Sequence, residues 1–346
     1  MTTTFHMSRE IADQPAMLEQ HAEAWQARAD QLRPRLAARK HVVLVGRGTS
    51  GNACTFATYL FATMHGRHPI EFRPWVAGVT TAGPSWDDAV VLAFSASGNS
   101  TDVSRAAAWL RDRGADVIGV TTAAEPGSHL GAICHELMHL EVGGERAVPA
   151  TKSFCAQLFA AAALCGLPIV DAARDTAAAM RTILAAGDDD QGARLAGFLD
   201  SARQAAWIAR GPALAGALDA ALKLQEAAGL PALGASSAEF MHGPIGALSP
   251  ADRVVIIGDN DDVGDSLVPV VASLLARGTP FVVVGPPGAI ADGRIAVSLP
   301  VPMPEAEWAR TAVVAMLGQR AALQLAIRRG LDPDAPPGLR KVTPTL

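Results

Sequence analysis

The sequence predicts an α/β protein with two tandem parallel sheets, each flanked by helices. Three observations predict this fold. The chain has 346 residues, which is long for one ordinary domain and favours two. Short apolar runs lead into glycine-containing loops and then into helical segments, which is typical of parallel-sheet units. These units also repeat about 164 residues apart.

The repeat covers two successive units. HVVLV (residues 41–45) enters GRGTSGNA and then the helical segment ACTFATYLFATMH, and AAWIA (205–209) enters RGPALAG and then ALDAALKLQEAAG. Next, DAVVLAF and ADVIGVT flank a predicted helix, as DRVVIIG and TPFVVVG do in the second half. Such a repeat predicts two domains of one fold. The predicted organisation is a helical segment 1–24, a first domain 25–170, a linker 171–189, a second domain 190–330 and a proline-rich tail 331–346.

Composition and charge exclude several function classes. The net charge is −5 and the 29 basic residues are scattered, so we expect no nucleic-acid partner. The four cysteines form no CxxC pair and are expected to be reduced and mostly buried, as in a cytoplasmic protein. No signal-peptide pattern opens the chain. The longest apolar run, residues 158–170, is shorter than the ~20 residues that cross a bilayer, so we expect a buried helix and no membrane association.

Two hydroxyl-rich loops follow strands of the first half and precede helices. Free backbone N–H groups and the helix dipole make such a junction an anion site, serine and threonine add neutral donors, and glycine permits close approach. One helix cap explains one hydroxyl per loop, and five are present. We therefore predict a phosphomonoester site. Its loop residues are Gly48, Thr49, Ser50, Ser95, Ser97, Gly98 and Ser100.

The second half lacks this pattern at the equivalent positions. Gly211-Pro212-Ala213 stands where the first half has Gly48-Thr49-Ser50, and DNDDVGDS stands where it has SASGNSTD. Negative charge would repel a phosphate. We therefore expect only the first half to bind the anion. The carboxylates of the second loop are Asp259, Asp261, Asp262 and Asp265.

The two loop motifs, GTS and S-x-S-G-x-[ST]-x-D, resemble those of the sugar-isomerase (SIS) family. The chain is similar, from EIADQP to LRKVTPTL, to the isomerase domain of glucosamine-6-phosphate synthase and to stand-alone SIS-type glucosamine-6-phosphate deaminases. The resemblance implies two tandem SIS domains of three-layer αβα, flavodoxin-like architecture. It also implies a homodimer that acts on a sugar phosphate.

The resemblance assigns roles in substrate binding. Ser50, Ser95, Ser97 and Ser100 match phosphate-binding hydroxyls of the family, and Thr49 matches a sugar-contacting threonine. GGERAVPATKSF resembles the segment G-P-E-x-x-V-A-S-T-K-x-F, with Val148 at a substrate-facing backbone position and Ala150 where serine is usual. Arg47, Ala96 and Asn99 also depart from the synthase pattern, which favours a relative of the synthase. The predicted substrate-binding residues are Gly48, Thr49, Ser50, Ser95, Ala96, Ser97, Gly98, Ser100, Val148 and Ala150.

Four residues match the family's catalytic groups. Lys223 and Glu226 lie three apart on one helix face; the resemblance makes Glu226 the base that moves protons between sugar carbons 1 and 2, assisted by Lys223. His242, in AEFMHGP, matches the histidine that opens the ring from a neighbouring subunit. Lys341 matches the lysine that forms a Schiff base with the open-chain ketose. Taken singly, these residues are typical of a solvated ion pair, a loop histidine and an exposed tail lysine.

The reaction that this resemblance implies is conversion of glucosamine 6-phosphate and water into fructose 6-phosphate and ammonia. The release direction is favoured because only about 25 residues precede the first unit and no cysteine lies near the start, so we expect no glutaminase domain. Other interpretations remain open: a deglycase for a phosphorylated sugar–amine adduct such as a fructosyl-amine 6-phosphate, a galactosamine-6-phosphate deaminase, or a non-catalytic sugar-phosphate sensor.

No cofactor or metal is expected. GRG lacks the G-x-G-x-x-G spacing of a dinucleotide site. HELMH (residues 135–139) matches the zinc-protease pattern H-E-x-x-H, which requires a helix to bring both histidines to one metal. The segment is predicted to be a strand that runs toward Gly143-Gly144, so we predict no zinc site there.

Overall fold

The structure is a computed structural model that describes residues 5–123, 127–258, 261–286 and 298–341, apart from the side chains of residues 188 and 261–266. The strands in this part of the chain are β1 (His41–Val45), β2 (Ile70–Glu71), β3 (Ala89–Phe94), β4 (Asp116–Thr121), β5 (Glu136–His139), β6 (Ala205–Ala209), β7 (Ala232–Ser236), β8 (Arg253–Ile257), β9 (Phe281–Gly285) and β10 (Ser298–Pro300).

The helices between these strands include two long ones, one near each end of the chain. They are α1 (His6–Ala12), α2 (Gln14–Ala37), α3 (Gly48–His65), α4 (Trp75–Val79), α5 (Thr101–Arg111), α6 (Lys152–Leu164), α7 (Val170–Leu184), α8 (Gln191–Leu199), α9 (Ala213–Ala228), α10 (Ser237–Met241), α11 (Asp261–Arg277) and α12 (Glu307–Arg328). Short 3₁₀ turns occur at Gly187–Asp189 and Pro244–Ala247.

Both sheets have the same strand order. Within the described residues the first sheet has five strands in the order β2-β1-β3-β4-β5, and the second has five in the order β10-β9-β8-β6-β7. Since β6, β8 and β9 are the repeats of β1, β3 and β4, the two orders agree when the second sheet is read from its other edge. Every pairing is parallel. The predicted fold of two tandem parallel sheets flanked by helices is confirmed. Loops after β1 and β3 leave the same edge, where ligands of open parallel sheets bind.

The central strands are buried on both faces. All six residues of β3 (AVVLAF) and all five of β6 (AAWIA) are buried. Strands covered by helices on both sides need continuous apolar runs, which explains why these segments lack the alternation of a half-exposed strand. In the first sheet, α5 packs Val103 and Leu110 against Val43 and Val91. In the second, Leu267 and Leu274 of α11 pack against Ile256.

The chain divides into two compact units. The first-sheet unit comprises Ala16–Glu145, Lys152–Ala173 and Arg340–Leu346, and the second-sheet unit comprises Met1–Pro15, Arg146–Thr151 and Arg174–Leu339. Lys341 thus belongs to the first-sheet unit, whereas residues 331–339 belong to the second-sheet unit. α2 continues across residue 25, where the first domain is predicted to begin, and the predicted boundaries remain predictions.

The four cysteines are free thiols. Cys54, Cys155 and Cys165 are buried and Cys134 is partly buried, as expected. Burial raises the pKa of all three buried thiols, that of Cys165 to about 11, so they stay protonated and unreactive at neutral pH. Among the described residues, no helix has the length and apolar character needed to cross a membrane.

Candidate functional site

The first hydroxyl loop is the start of a helix. The sequence predicted a helix from Ala53 onward, but α3 begins at Gly48, so Thr49 and Ser50 lie in its first turn. Gly48 has a φ of 51°, a left-handed conformation that glycine adopts without strain and that turns the chain directly from strand into helix. The first-turn N–H groups have no partner within the helix.

Ser50 is held from the helix behind it. Its side chain is buried, and its Oγ accepts a hydrogen bond from Nε2 of Gln157 at 3.0 Å. A hydroxyl that accepts one bond still has its own hydrogen to donate. Gln157, on α6, therefore orients the Ser50 hydroxyl as a donor, and sequence reasoning missed it because α6 lies 107 residues away.

The second loop turns at Gly98. This glycine has a φ of 65°, its N–H donates to the Ser95 carbonyl at 3.1 Å, and a Cβ at this position would lie 2.8 Å from Cβ of Ser128. Only glycine fits such a turn. The Ser97 Oγ accepts from the N–H of Asn99 at 3.2 Å, which fixes the hydroxyl inside the loop.

Ser100 tests the capping interpretation of these hydroxyls directly. It occupies the N-cap position of α5 with an extended backbone, yet its side chain makes no capping hydrogen bond. A cap serine normally accepts from an N–H of the first turn. The Ser100 hydroxyl is therefore placed at a helix start without performing the usual structural task.

Ala96 anchors the loop through its backbone. Its carbonyl accepts from the N–H of Thr122 at 3.0 Å, from the Thr122 hydroxyl at 2.8 Å and from the Thr121 hydroxyl at 3.2 Å. These bonds tie the loop after β3 to the end of β4. The loss of a longer side chain at residue 96 thus leaves the loop fixed by its main chain.

An ion pair that the sequence did not predict joins the two loops. Arg47, the N-cap residue of α3, donates from Nη2 and Nε to Oδ2 of Asp102 at 2.8 and 3.2 Å. Asp102 lies in the first turn of α5 and is buried. In the sequence, Arg47 was identified only as a departure from the family pattern. The feature that could have indicated a role for it is a positive charge directly before a predicted anion-binding loop.

Lys341 is held within the first-sheet unit by a buried carboxylate. Its Nζ lies 2.8 Å from Oε2 of Glu145, and Glu145 also accepts from the N–H and hydroxyl of Ser153 at 3.0 and 2.8 Å. Lys341 is exposed, as is typical of a tail lysine, and its amine is paired with Glu145. No role was predicted from the sequence for Glu145 or Ser153, although both lie in the segment GGERAVPATKSF.

Val148 and Ala150 lie in the second-sheet unit. The N–H of Val148 donates to the carbonyl of Asp334 at 2.9 Å, so the main chain here is fixed to the segment after α12. Both residues are partly exposed. A substrate-facing role for Val148 and Ala150 stays a prediction.

Lys223 and Glu226 form a contact on α9. The Nζ of Lys223 lies 2.5 Å from Oε2 of Glu226 and 4.0 Å from Oδ1 of Asp219. Lys223 and Asp219 are fully buried, whereas the side chain of Glu226 is 22% exposed. Burying a charge is costly unless it is paired, so the interpretation as a solvated surface ion pair is wrong. Asp219 was missed, although its position four residues before Lys223 is a recognisable helix spacing.

His242 lies at the end of α10 and is exposed. It lines a cavity of about 400 Å³ in the second-sheet unit. The wall combines apolar side chains from α9 and β7 with two polar groups near the histidine, Ser236 and Glu239. His242 is thus reachable by a solute or by a second chain.

The segment HELMH is a strand, as predicted. Glu136–His139 forms β5, parallel to β4, and Nδ1 of His135 accepts from the N–H of Val117 at 3.0 Å. Within the described part of the chain, no group of three or more His, Cys, Asp or Glu side chains is arranged to hold a metal ion.

The second-half loops match the prediction where they are described. Gly211 has a φ of 55° and α9 begins at Ala213, so the strand-to-helix turn is repeated without hydroxyls. Asp259 lies outside the described residues. The side chains of Asp261, Asp262 and Asp265 also lie outside them, so their predicted repulsion of phosphate stays a prediction.

Comparison with known proteins identifies the family. A family model described as SIS domain matches residues 35–166. Residues 35–166 are therefore identified as a SIS domain. This match contains β1 and β3 and both hydroxyl loops, so the family assignment and the candidate anion site rest on the same part of the chain.

Relatives and solved structures extend the similarity over nearly the whole chain. A glutamine–fructose-6-phosphate aminotransferase (isomerizing) from Pyrobaculum aerophilum is 28% identical over 345 residues, which cover 97% of this chain and 56% of the relative. The chain spans about half the length of such curated relatives. The C-terminal domain of a glucosamine–fructose-6-phosphate aminotransferase from Francisella tularensis has a TM-score of 0.81 at 20% identity, covering 97% of this chain and 99% of that one.

A glucosamine-6-phosphate deaminase from Thermotoga maritima has the same fold. Its TM-score is 0.79 at 20% identity, with 98% of this chain and 100% of that chain covered. At this identity the likeness shows the fold alone. Together these matches show that the chain has the two-sheet fold of these structures and contains a SIS domain over residues 35–166.

Proposed function

We propose that this protein is a SIS-type phosphosugar isomerase that releases an amine, converting glucosamine 6-phosphate and water into fructose 6-phosphate and ammonia. The observation that carries the proposal is the contact between the buried Lys223 and the partly exposed Glu226. A sugar-phosphate sensor needs an anion site but has no use for a base held by a buried lysine. An isomerase needs both.

The phosphate is bound by neutral donors in this proposal. Ser50, Ser95, Ser97 and Ser100 donate to its oxygens, together with the first-turn N–H groups of α3 and α5. Binding energy gained at the phosphate, remote from the reacting carbons, positions the sugar for reaction. The sugar-contacting role of Thr49 belongs to the same part of the proposal.

Proton transfer follows ring opening. His242 moves the proton that opens the ring, since an imidazole can both donate and accept a proton. Glu226 then takes the proton from carbon 2 and returns it to carbon 1, which converts the amino aldose into a ketose imine. Lys223 holds one oxygen of the carboxylate through the 2.5 Å contact, and in this proposal the other oxygen accepts the proton.

Ammonia leaves in the next step. The amine of Lys341 attacks the imine carbon, the C–N bond to ammonia breaks, and a Schiff base between lysine and ketose remains. Water then hydrolyses the Schiff base to fructose 6-phosphate and regenerates the lysine. We propose the release direction because water greatly exceeds free ammonia in solution.

The partner proposed for His242 is a second copy of this chain. Its exposure at the end of α10 supports a role in a neighbouring subunit. Mixed dimers of Glu226→Gln and His242→Ala chains should regain about a quarter to a half of wild-type activity if the two groups act across subunits. Equal inactivity of mixed and unmixed preparations contradicts this arrangement.

The deciding experiment follows ammonia and fructose 6-phosphate from glucosamine 6-phosphate, for wild type, Lys341→Ala and the control Lys40→Ala. Lys40 is an exposed lysine of the first-sheet unit. We expect equimolar products from wild type and Lys40→Ala, and a loss of about 10²-fold or more for Lys341→Ala. Borohydride should trap labelled sugar on wild type and not on Lys341→Ala.

The same assay separates the alternatives. If the enzyme forms product from galactosamine 6-phosphate or from a fructosyl-amine 6-phosphate and none from glucosamine 6-phosphate, that result changes the proposed substrate and leaves the proposed mechanism intact. Tight binding of fructose 6-phosphate with no turnover of any of these substrates identifies a sensor and overturns the proposed enzyme.

A further inference from the structure

Arg47 and Asp102 are two charged residues that lie among the proposed phosphate hydroxyls. Arg47 is the N-cap residue of α3, just before Thr49 and Ser50, and Asp102 lies in the first turn of α5, just after Ser100. Both guanidinium contacts, 2.8 and 3.2 Å, go to one carboxylate oxygen of Asp102. The pair therefore connects the two helix starts that supply the hydroxyls, entirely within the first-sheet unit.

Asp102 presents an electrostatic problem for phosphate binding. Its carboxylate is buried, with the residue 8% exposed, and it occupies the positive end of α5, where a carboxylate is itself favoured. A phosphate monoester carries about −1.5 to −2 charges at neutral pH. An uncompensated carboxylate at this helix end would compete with the phosphate for the same N–H groups and repel it.

Arg47 has the geometry to remove this conflict. A guanidinium offers five N–H donors in a planar fork. Nε and Nη2 bind Asp102, while Nη1 donates to no acceptor within the described part of the chain. The Arg47 side chain is 49% exposed, so an incoming anion can reach it. Arginine combines charge with paired donors, which is why it recognises phosphate well.

We propose that Arg47 is a specificity-determining residue of the phosphate site: it neutralises Asp102 and donates its remaining N–H groups to the phosphate. This inference rests on the proposed function, because it assumes that the hydroxyl loops bind a phosphate. It predicts a site that combines neutral hydroxyls with one arginine. The same ion pair could instead act as a purely structural link between two loops, and the two roles differ in their response to mutation.

The test measures binding of fructose 6-phosphate and of inorganic phosphate by calorimetry to wild type, Arg47→Gln, Asp102→Asn and the double variant, with thermal unfolding of each. We expect Arg47→Gln to raise both dissociation constants about tenfold or more. Asp102→Asn should change them by less than about twofold or tighten binding, because it removes the repelling charge. The double variant should bind more tightly than Arg47→Gln alone. Arg47→Lys, which keeps the charge without the fork, should be intermediate.

Arg35→Gln is the matched control. Arg35 pairs with another buried carboxylate of the same unit, Asp116, at 2.7 Å, but Asp116 is the first residue of β4 and so lies at the opposite end of the sheet from the loops. This variant loses the same charge. Its dissociation constants should stay within about twofold of wild type, since screening weakens distant charges.

The outcomes distinguish the inference from the function on which it rests. If wild type binds both probes, and Arg47→Gln and Asp102→Asn weaken binding equally with no recovery in the double variant, the pair is a structural link and the inference is wrong. The same holds if Arg47→Gln or Arg47→Lys binds as wild type does. If wild type itself binds neither probe, the proposed phosphate site fails, and the inference fails with it.

Discussion

The helices α3 and α9 occupy the same place in the two sheets but carry different chemistry. Each follows the first strand of its repeat through a left-handed glycine, Gly48 with a φ of 51° and Gly211 with a φ of 55°. α3 then begins with Thr49 and Ser50, whereas α9 is preceded by Pro212. The backbone turn is the same in both copies, and only the first copy places hydroxyl side chains there.

Near the C-terminal ends of these two helices, the second copy carries the charged group and the first does not. α3 and α9 end before Gly66 and Gly229. Counted back from these glycines, Lys223 of α9 corresponds to Leu60 of α3, and both are buried. The first copy uses this position for its core, and the second places a charged amine there. The repeat thus keeps the backbone geometry, while the proposed phosphate hydroxyls lie in one copy and the candidate base in the other.

The largest effect is expected from Glu226→Gln in the second copy. An amide cannot accept the proton from the sugar carbon, so kcat should fall about 10²- to 10⁴-fold. Binding of fructose 6-phosphate should change by less than about threefold, since the phosphate hydroxyls belong to the first-sheet unit. Steady-state ammonia release and calorimetry measure these two quantities.

Glu305→Gln is the control for this variant, because Glu305 is an exposed carboxylate of the second-sheet unit and should leave both quantities unchanged. Thermal unfolding shows whether Glu226→Gln still folds around Lys223. A folded Glu226→Gln protein with wild-type kcat would show that Glu226 is not the catalytic base. The proposed difference in catalytic role between α9 and α3 would then be wrong.

The next effect concerns stability at a matched pair of aspartates. Asp252 precedes β8 and Asp88 precedes β3, at equivalent positions of the repeat. The Asp252 side chain is fully buried and bound by Arg203 at 2.9 Å and by the N–H of Ser249 at 2.7 Å, whereas Asp88 is exposed. Asp252→Asn should lower the free energy of unfolding by about 1–3 kcal/mol, and Asp88→Asn by less than about 0.5 kcal/mol. Chemical denaturation measures both.

This stability difference should depend on pH. Burial acts to raise the pKa of Asp252, but hydrogen bonds from Arg203 and Ser249 outweigh it and hold the pKa below the ordinary value. A carboxylate with a lowered pKa stabilises the fold above its unfolded-state pKa of about 3.9. That contribution is lost as the pH falls through the depressed pKa of Asp252. The gap between wild type and Asp252→Asn should therefore narrow below about pH 4, and a constant gap would show that the charge is not its source.

The central strands of both sheets could be predicted from the sequence, whereas the edge strands β2 and β10 could not. β1, β3 and β8 have continuous apolar runs because they are covered on both faces. β2 is two residues long and exposed, and β10 is three residues long and largely exposed. Such edge strands have little buried surface and so no apolar pattern to identify them.

The candidate site was predictable where its residues are neighbours in the chain. The hydroxyls of each loop lie within a few residues, and Lys223 and Glu226 share one helix face. The contacts of Arg47 with Asp102 and of Lys341 with Glu145 join residues 55 and 196 positions apart. These pairs form only when the chain has folded, so spacing within the sequence contains no information about them.

The smallest effect, and the sharpest contrast, is expected from two N-cap serines. Ser100 in the first copy and Ser236 in the second both have extended backbones at helix starts, but only Ser236 accepts a capping bond, from the N–H of Glu239 at 3.2 Å. Ser236→Ala should cost about 0.5–1 kcal/mol of stability and leave fructose 6-phosphate binding unchanged. Ser100→Ala should leave the unfolding temperature unchanged and weaken binding about five- to tenfold, because a donor to a charged group is lost. If Ser100→Ala instead lowers stability as Ser236→Ala does and binds fructose 6-phosphate normally, both serines are helix caps. Ser100 would then give no support to phosphate binding by the hydroxyl-rich loop of the first copy.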